Sequence, residues 1–113
     1  VCENTVEFMD NVNIQKLRFP SLEIDQLQRS VIKDSKVVEL TRHEYDLLFY
    51  LALSPNRVFT KEQIYQHIYE DVESEVDNRV YGLVKNLRKK IEENPEEPHY
   101  IETIRGVGYR FRA

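Results

Sequence analysis

Sixteen residues near the C-terminal end, 78–93 (NRVYGLVKNLRKKIEE), carry a helical period that leaves little choice of conformation. At about 100° per residue, Val80, Leu83, Val84, Leu87 and Ile91 gather on one side of a helix. Asn78, Gly82, Lys85, Asn86 and Lys89 fall opposite, with Tyr81 and Arg88 on one flank and Arg79 on the other. A solvated helix usually mixes signs, because Glu–Lys pairs at i, i+4 add stability. Here five basic residues (Arg79, Lys85, Arg88, Lys89, Lys90) lie between positions 79 and 90 with no acid among them. Like charges grouped in this way cost stability unless an anion neutralises them. Gly82 adds about 1 kcal/mol of cost relative to Ala in a helix interior.

The next stretch completes the pattern. Residues 92–98 are acidic and hold Pro95 and Pro98, so they read as a loop. Residues 100–104 (YIETI) and 107–111 (VGYRF) alternate as strands do. Arg105-Gly106-Val107-Gly108 is the turn between them, where glycines permit positive φ, and Arg105 projects from its tip. A basic helix beside a basic hairpin can fill the major groove of DNA while reaching a second groove or the backbone. On such a face the missing side chain of Gly82 would let a base edge come close.

Upstream, residues 1–14 are polar with weak periodicity and read as a linker or arm; residues 15–113 read as the domain. From Leu17 to Leu40, apolar clusters alternate with turn-like points at Pro20-Ser21, Asp25-Gln26 and residues 33–35, which suits an antiparallel sheet of three or four strands. Thr41-Arg-His-Glu44 is a capping-box pattern, and Tyr45, Leu48, Phe49 and Ala52 follow as one buried stripe. Ser54-Pro55-Asn56 stops that helix. A second box, Thr60-Lys-Glu-Gln63, opens a shorter helix carrying Ile64 and Ile68, and Ser74-Glu-Val-Asp77 caps the third. The fold class is therefore α+β, with three capped helices flanked by strands on both sides.

The net charge of −4 argues against a nucleic-acid partner until it is divided along the chain. Residues 1–78 hold 8 basic and 15 acidic side chains, whereas residues 79–113 hold 8 basic and 5 acidic. Surface charges more than about 10 Å apart are largely screened at 0.1 M salt, so local sign decides. At 113 residues, 41% of them hydrophobic, the chain has the size and composition of one globular domain. No apolar run reaches the roughly 18 residues of a membrane span. Cys2 is the only cysteine, which excludes an internal disulfide framework and fits a reducing cytoplasm. His43, His67 and His99 lack ligand spacing, so no metal or other cofactor is expected. No nucleophile–base order, paired-carboxylate motif or phosphate loop points to an enzyme. The chain starts at Val1 rather than Met, as a piece of a longer protein would.

Four segments together carry a family resemblance: LTRHEYDLL (40–48), NRVFTKEQI (56–64), NLRKKIE (86–92) and IETIRGVGYRF (101–111). In this order and spacing the chain resembles the DNA-binding effector domain of OmpR/PhoB-type two-component response regulators. The resemblance implies a winged helix-turn-helix: an N-terminal antiparallel sheet, three helices and a C-terminal hairpin wing. It implies that the third helix lies in the major groove of double-stranded DNA and the wing reaches the adjacent minor groove. By motif position, Lys85, Asn86 and Arg88 look like its DNA-facing residues and Arg105 like the wing arginine; Arg79, Tyr81, Gly82 and Lys89 share that surface. Thr103 and Tyr109 look like wing contacts, and Lys61 and Tyr69 sit where the family often meets the backbone. Glu70, Asp71, Glu73 and Glu75 occupy a loop that in such regulators can touch RNA polymerase. An N-terminal receiver domain, absent from this chain, and head-to-tail pairing on direct repeats are further implications.

The recognition helix departs from its relatives. Many read Val-Asp-Val-His-Ile-x-Arg-Leu-Arg, whereas here Tyr81 replaces the acid, Gly82 the second valine, Leu83 the histidine and Asn86 an arginine. Those positions would touch bases, so the site read does not transfer, and Asn86 suits an adenine edge where arginine suits guanine. Blander readings stand beside these: a solvated helix face, a hairpin tip in water, structural roles for Lys61, Tyr69 and Tyr109, and a solvated acidic loop. Tyr81 is open between groove contact and packing against the first helix. Two rival functions remain, the cytoplasmic domain of a membrane-anchored ToxR-type regulator and a winged-helix protein-interaction module.

Overall fold

The structure, a computed structural model, describes residues 16–69 and 76–113. The arm expected over residues 1–14, the Ser74 cap and the acidic positions Glu70, Asp71, Glu73 and Glu75 lie outside the described residues. Strands β1 (Lys16–Phe19), β2 (Leu22–Asp25), β3 (Ser30–Lys33) and β4 (Lys36–Val38) form an antiparallel sheet in sequence order. Its register aligns Leu17, Ile24, Val31 and Val38 across the four strands. Ile24 and Val31 are buried, and Leu17 and Val38 pack against the core. The β3–β4 turn has two residues, Asp34 and Ser35, both at positive φ (51° and 68°), as a type I′ hairpin requires.

Both expected capping boxes form. In α1 (Arg42–Ala52), the Glu44 amide donates to Thr41 Oγ1 at 3.3 Å and the Thr41 amide to Glu44 Oε1 at 2.9 Å. In α2 (Lys61–Ile68), the Gln63 amide donates to Thr60 Oγ1 at 3.1 Å and the Thr60 amide to Gln63 Oε1 at 2.9 Å. The buried stripe of α1 is wider than its period suggested: Leu47 and Leu51 are fully buried, whereas Phe49 is only partly so. The cause is three-sided contact, since α1 meets α2, α3 (Val76–Ile91) and the C-terminal sheet. Glu44 is buried too, and Lys90 Nζ donates to its Oε1 at 2.6 Å, tying the last turn of α3 to the cap of α1.

The wing is larger than the expected hairpin. Strands β6 (Ile101–Ile104) and β7 (Gly108–Phe111) pair antiparallel, and a two-residue strand β5 (Phe59–Thr60) adds to the other side of β7, giving the order β5-β7-β6. Val107 belongs to the turn, not the strand. The two glycines serve different needs. Gly106 has φ +78° at the third position of a turn closed by the Val107 amide donating to Ile104 O at 2.9 Å, the type II arrangement. Gly108, expected to help the turn through positive φ, instead admits a neighbour. A Cβ on it would lie 1.9 Å from the backbone oxygen of Phe59 on β5.

Phe19 of β1 brings its ring to 4.6 Å from that of Phe111, joining the N-terminal sheet to the wing strands through one core. Gly108→Ala should therefore force β5 away from β7, costing about 2–3 kcal/mol. A lowered urea midpoint with faster amide exchange at Phe59 and Thr60 would show it.

Candidate nucleic-acid interface

Helix α3 sorts its residues as its period predicts. Val80, Val84, Leu87 and Ile91 are essentially inaccessible, and Lys85, Asn86 and Lys89 are exposed. Tyr81, open between two roles in the sequence, is 63% exposed. Gly82 has nothing within 4 Å of the place a Cβ would occupy, so the helix surface is bare there. Leu83, at 8% exposure, belongs to the core as its place in the apolar seam predicts, which corrects the expectation that this position touches bases. Among the described residues no carboxylate pairs with Lys85 or Lys89. A cleft of about 460 Å³ runs beside this face, lined by Tyr81, Lys85, Arg88 and Lys89 from the helix and by residues 94–96 from the following loop.

The two other arginines near this face are held. Arg79 turns toward α2, where its Nη1 donates to the Tyr65 hydroxyl at 3.2 Å and its guanidinium lies 5.3 Å from the Tyr69 ring centroid. Tyr69 itself is partly buried, 4.8 Å from the Tyr65 ring and 4.5 Å from His43. Arg88, expected to face DNA, is half-buried. Its Nε and Nη2 donate to Ile101 O at 3.2 and 2.8 Å, and Nη2 also to Thr103 Oγ1 at 2.7 Å. Its guanidinium lies 5.9 Å from the Tyr109 ring centroid. Burial lowers its pKa from the usual arginine value, opposed by Tyr109, Glu92 and Tyr81; an arginine stays charged even so.

The wing collects the remaining candidates. Arg105 is exposed at the second position of the type II turn. A smaller cleft, about 180 Å³, brings Lys61 of α2 together with Thr103, Gly106 and Tyr109 of the wing. Lys61 is half-exposed and Thr103 exposed, but Tyr109 is only 7% exposed, so most of its ring is structural. The structure thus joins Lys61 and Thr103 at one cleft, leaves Arg105 exposed on the wing turn, and holds Arg79 against Tyr65 and Tyr69.

Reading residues 92–98 as an acidic loop does not reveal the role of Glu92. This residue is 7% exposed, and its carboxylate accepts the amides of His99, Tyr100 and Ile101 at 2.7 to 3.2 Å. The available signal was its spacing: Glu92 follows Arg88 by one helical turn, and its own amide still donates to Arg88 O at 2.9 Å.

A family profile described as "Transcriptional regulatory protein, C terminal" matches residues 34–111. The chain belongs to this family. It is 41% identical over 98 residues to the transcriptional regulatory protein SrrA of Staphylococcus aureus, covering 86% of this chain and 41% of that one. It is 38% identical over 94 residues to the transcriptional regulatory protein YcbL of Bacillus subtilis, covering 83% and 42%. The chain thus spans about two fifths of the length of the curated relatives it matches. Among solved structures it resembles DrrB of Thermotoga maritima, an OmpR/PhoB homologue (TM-score 0.83, 34% identity, 88% of this chain and 45% of that one). It also resembles the RstA DNA-binding domain of Klebsiella pneumoniae, crystallised with the RstA box (TM-score 0.80, 28% identity, 88% and 98%). The fold is the winged helix-turn-helix of OmpR/PhoB effector domains. No helix among the described residues is long and apolar enough to cross a membrane.

The two faces of α3 should separate in stability measurements. Leu87→Ala should cost about 2–5 kcal/mol, whereas Tyr81→Ala and Asn86→Ala should stay within about 0.5 kcal/mol, read by urea unfolding.

Proposed function

We propose that this chain binds double-stranded DNA sequence-specifically, as the effector domain of an OmpR/PhoB-type response regulator that controls transcription. The observation that carries the reading is the outer face of α3 with Tyr81, Gly82, Lys85, Asn86 and Lys89, whose two lysines form no ion pair among the described residues, set beside a wing with Arg105 at its tip. In this reading Lys85 and Lys89 neutralise phosphates, Asn86 and Tyr81 meet base edges, and Gly82 lets one approach closely. Arg105 enters the flanking minor groove, where a narrow groove concentrates negative potential. Lys61 and Thr103 border the backbone from the α2 and wing side, with Arg79, Tyr69 and Tyr109 supporting that edge. The RstA domain, of similar fold over most of its length, is crystallised with its DNA box, which supports the assignment.

The fuller protein would add a receiver domain before this one, and two copies would pair on direct-repeat half-sites in the cytoplasm. The acidic positions Glu70, Asp71, Glu73 and Glu75 would be offered to RNA polymerase. The reading includes no catalytic step.

Selection of bound duplexes from random DNA, followed by affinity measurements across salt, tests it. The log of affinity should fall steeply with log salt, by about 0.9 for each phosphate neutralised, and Lys85→Ala or Lys89→Ala should each reduce that slope by about 1. Asn86→Arg should move the preferred base under that residue from adenine toward guanine. A flat salt dependence with no preferred sequence would overturn the proposal in favour of a protein-interaction module.

A further inference from the structure

One residue of the wing, Ile101, has both its backbone N–H and its C=O held by side chains from the C-terminal end of α3 and the residue that follows it. Arg88 donates to the carbonyl of Ile101, and Glu92, four residues on, accepts the Ile101 amide at 2.8 Å. β6 is an edge strand, since the sheet order is β5-β7-β6. In an antiparallel pair alternate residues turn their N–H and C=O groups away from the partner strand, which at an edge leaves them open. Here the side chains of the helix take the place of a further strand. Arg88 extends the attachment outward to Thr103 Oγ1, two residues nearer the wing tip, while Glu92 extends it inward to the amides of Tyr100 and His99. The planar guanidinium suits this task because its donors have fixed directions.

We propose that Arg88 and Glu92 are positioning residues that splint the wing to the recognition helix, so that the distance between the base-reading face of α3 and Arg105 is set by this pair. Arg88 then influences DNA through the wing and reads no base itself. The inference rests on the DNA-binding reading above for its consequence, but the splint exists in the free protein and is measurable there. The splint makes the spacing between the major-groove contacts and the flanking minor-groove contact a fixed property of the domain. The wing is thereby kept from swinging independently of the helix.

The test uses Arg88→Gln, Arg88→Lys, Thr103→Val, Arg105→Ala and the Arg88→Gln/Arg105→Ala double variant. Glu92 variants are avoided, because losing a buried acceptor of three amides endangers folding. In the free protein, Arg88→Gln should speed hydrogen exchange of the β6 and β7 amides by about tenfold and leave the α1 amides unchanged. Unchanged exchange in the wing would overturn the splint, whatever the DNA results. On a duplex carrying the selected site, Arg88→Gln should weaken binding about tenfold, with base preference beneath α3 unchanged. In the Arg105→Ala background the same change should matter less than about twofold, because the wing contact it positions is already gone. Arg88→Lys, which keeps the charge but not the fork, should fail to restore the affinity that Arg88→Gln loses. Thr103→Val should produce a smaller loss in the same direction. A full Arg88→Gln loss in the Arg105→Ala background, or an altered base preference under α3, would show that Arg88 touches DNA directly. Failure of the unmodified chain to bind any duplex would sink the DNA-binding reading, while the exchange measurement would still decide the splint.

Discussion

Helix α3 must satisfy two demands that oppose each other. Its inner seam of Val80, Leu83, Val84, Leu87 and Ile91 is buried, and each such side chain contributes about 1.5–3 kcal/mol on leaving water. Its outer face gives some of this back. Lys85 and Lys89 repel at i, i+4 by about 0.2–0.5 kcal/mol, and Gly82 costs about 1 kcal/mol as a helix-interior glycine. The seam exceeds these costs several-fold, so the helix does not need its outer face to be stable. That surplus lets Lys85 and Lys89 stand without an ion-pair partner among the described residues. A helix of the same length without the seam would have to mix signs along its surface to survive.

Burial alone would hold α3 in place without fixing where its neighbours stand. Polar contacts at its C-terminal end do that. Lys90 reaches the buried Glu44 carboxylate, which already closes the capping box of α1, so the start of α1 and the end of α3 share one group. Buried ion pairs add little net stability, because desolvation offsets attraction, but removing one partner is costly and the geometry is demanding. Glu92 fixes the entry into β6 in the same way, with the amides of His99, Tyr100 and Ile101 converging on one carboxylate. The result is a helix whose last turn faces two ways, toward the cap of α1 and toward the wing.

What could be read from the sequence follows from the range of the interaction behind each feature. The capping boxes at Thr41 and Thr60 depend on residues three apart, and both form as their spacing implies. The α3 seam depends on a 3.6-residue period over four turns, and the four-strand sheet on clusters separated by turns; these too were legible. The features that were not visible depend on distant partners. β5 is two residues long, too short for any alternation to register, and exists because Phe59 and Thr60 meet Tyr109 and Gly108 across nearly fifty positions of chain. Gly108 looked like a turn glycine beside Gly106, since local sequence cannot reveal that a backbone oxygen arrives from β5. Arg88 carried the charge and position of a DNA contact, and nothing local indicated that a strand edge would claim its donors first.

The departures of this chain from its relatives can now be divided by place. Leu83 replaces a histidine at a site that is buried here, so it alters packing rather than recognition. Tyr81, Gly82 and Asn86 lie on the open surface, and together they exchange charged or branched side chains for a ring, a gap and an amide. An amide pairs with base edges by direction, offering a donor and an acceptor side by side, whereas a guanidinium offers only donors and adds a full charge. In the proposed reading, having an amide rather than a cation at 86 transfers weight from counter-ion release to base matching. In the proposed reading, Lys85 and Lys89 flank Asn86 and meet the phosphates on either side. A face built this way should lose less affinity to salt than one with arginine at 86, and more to a mismatched base beneath it.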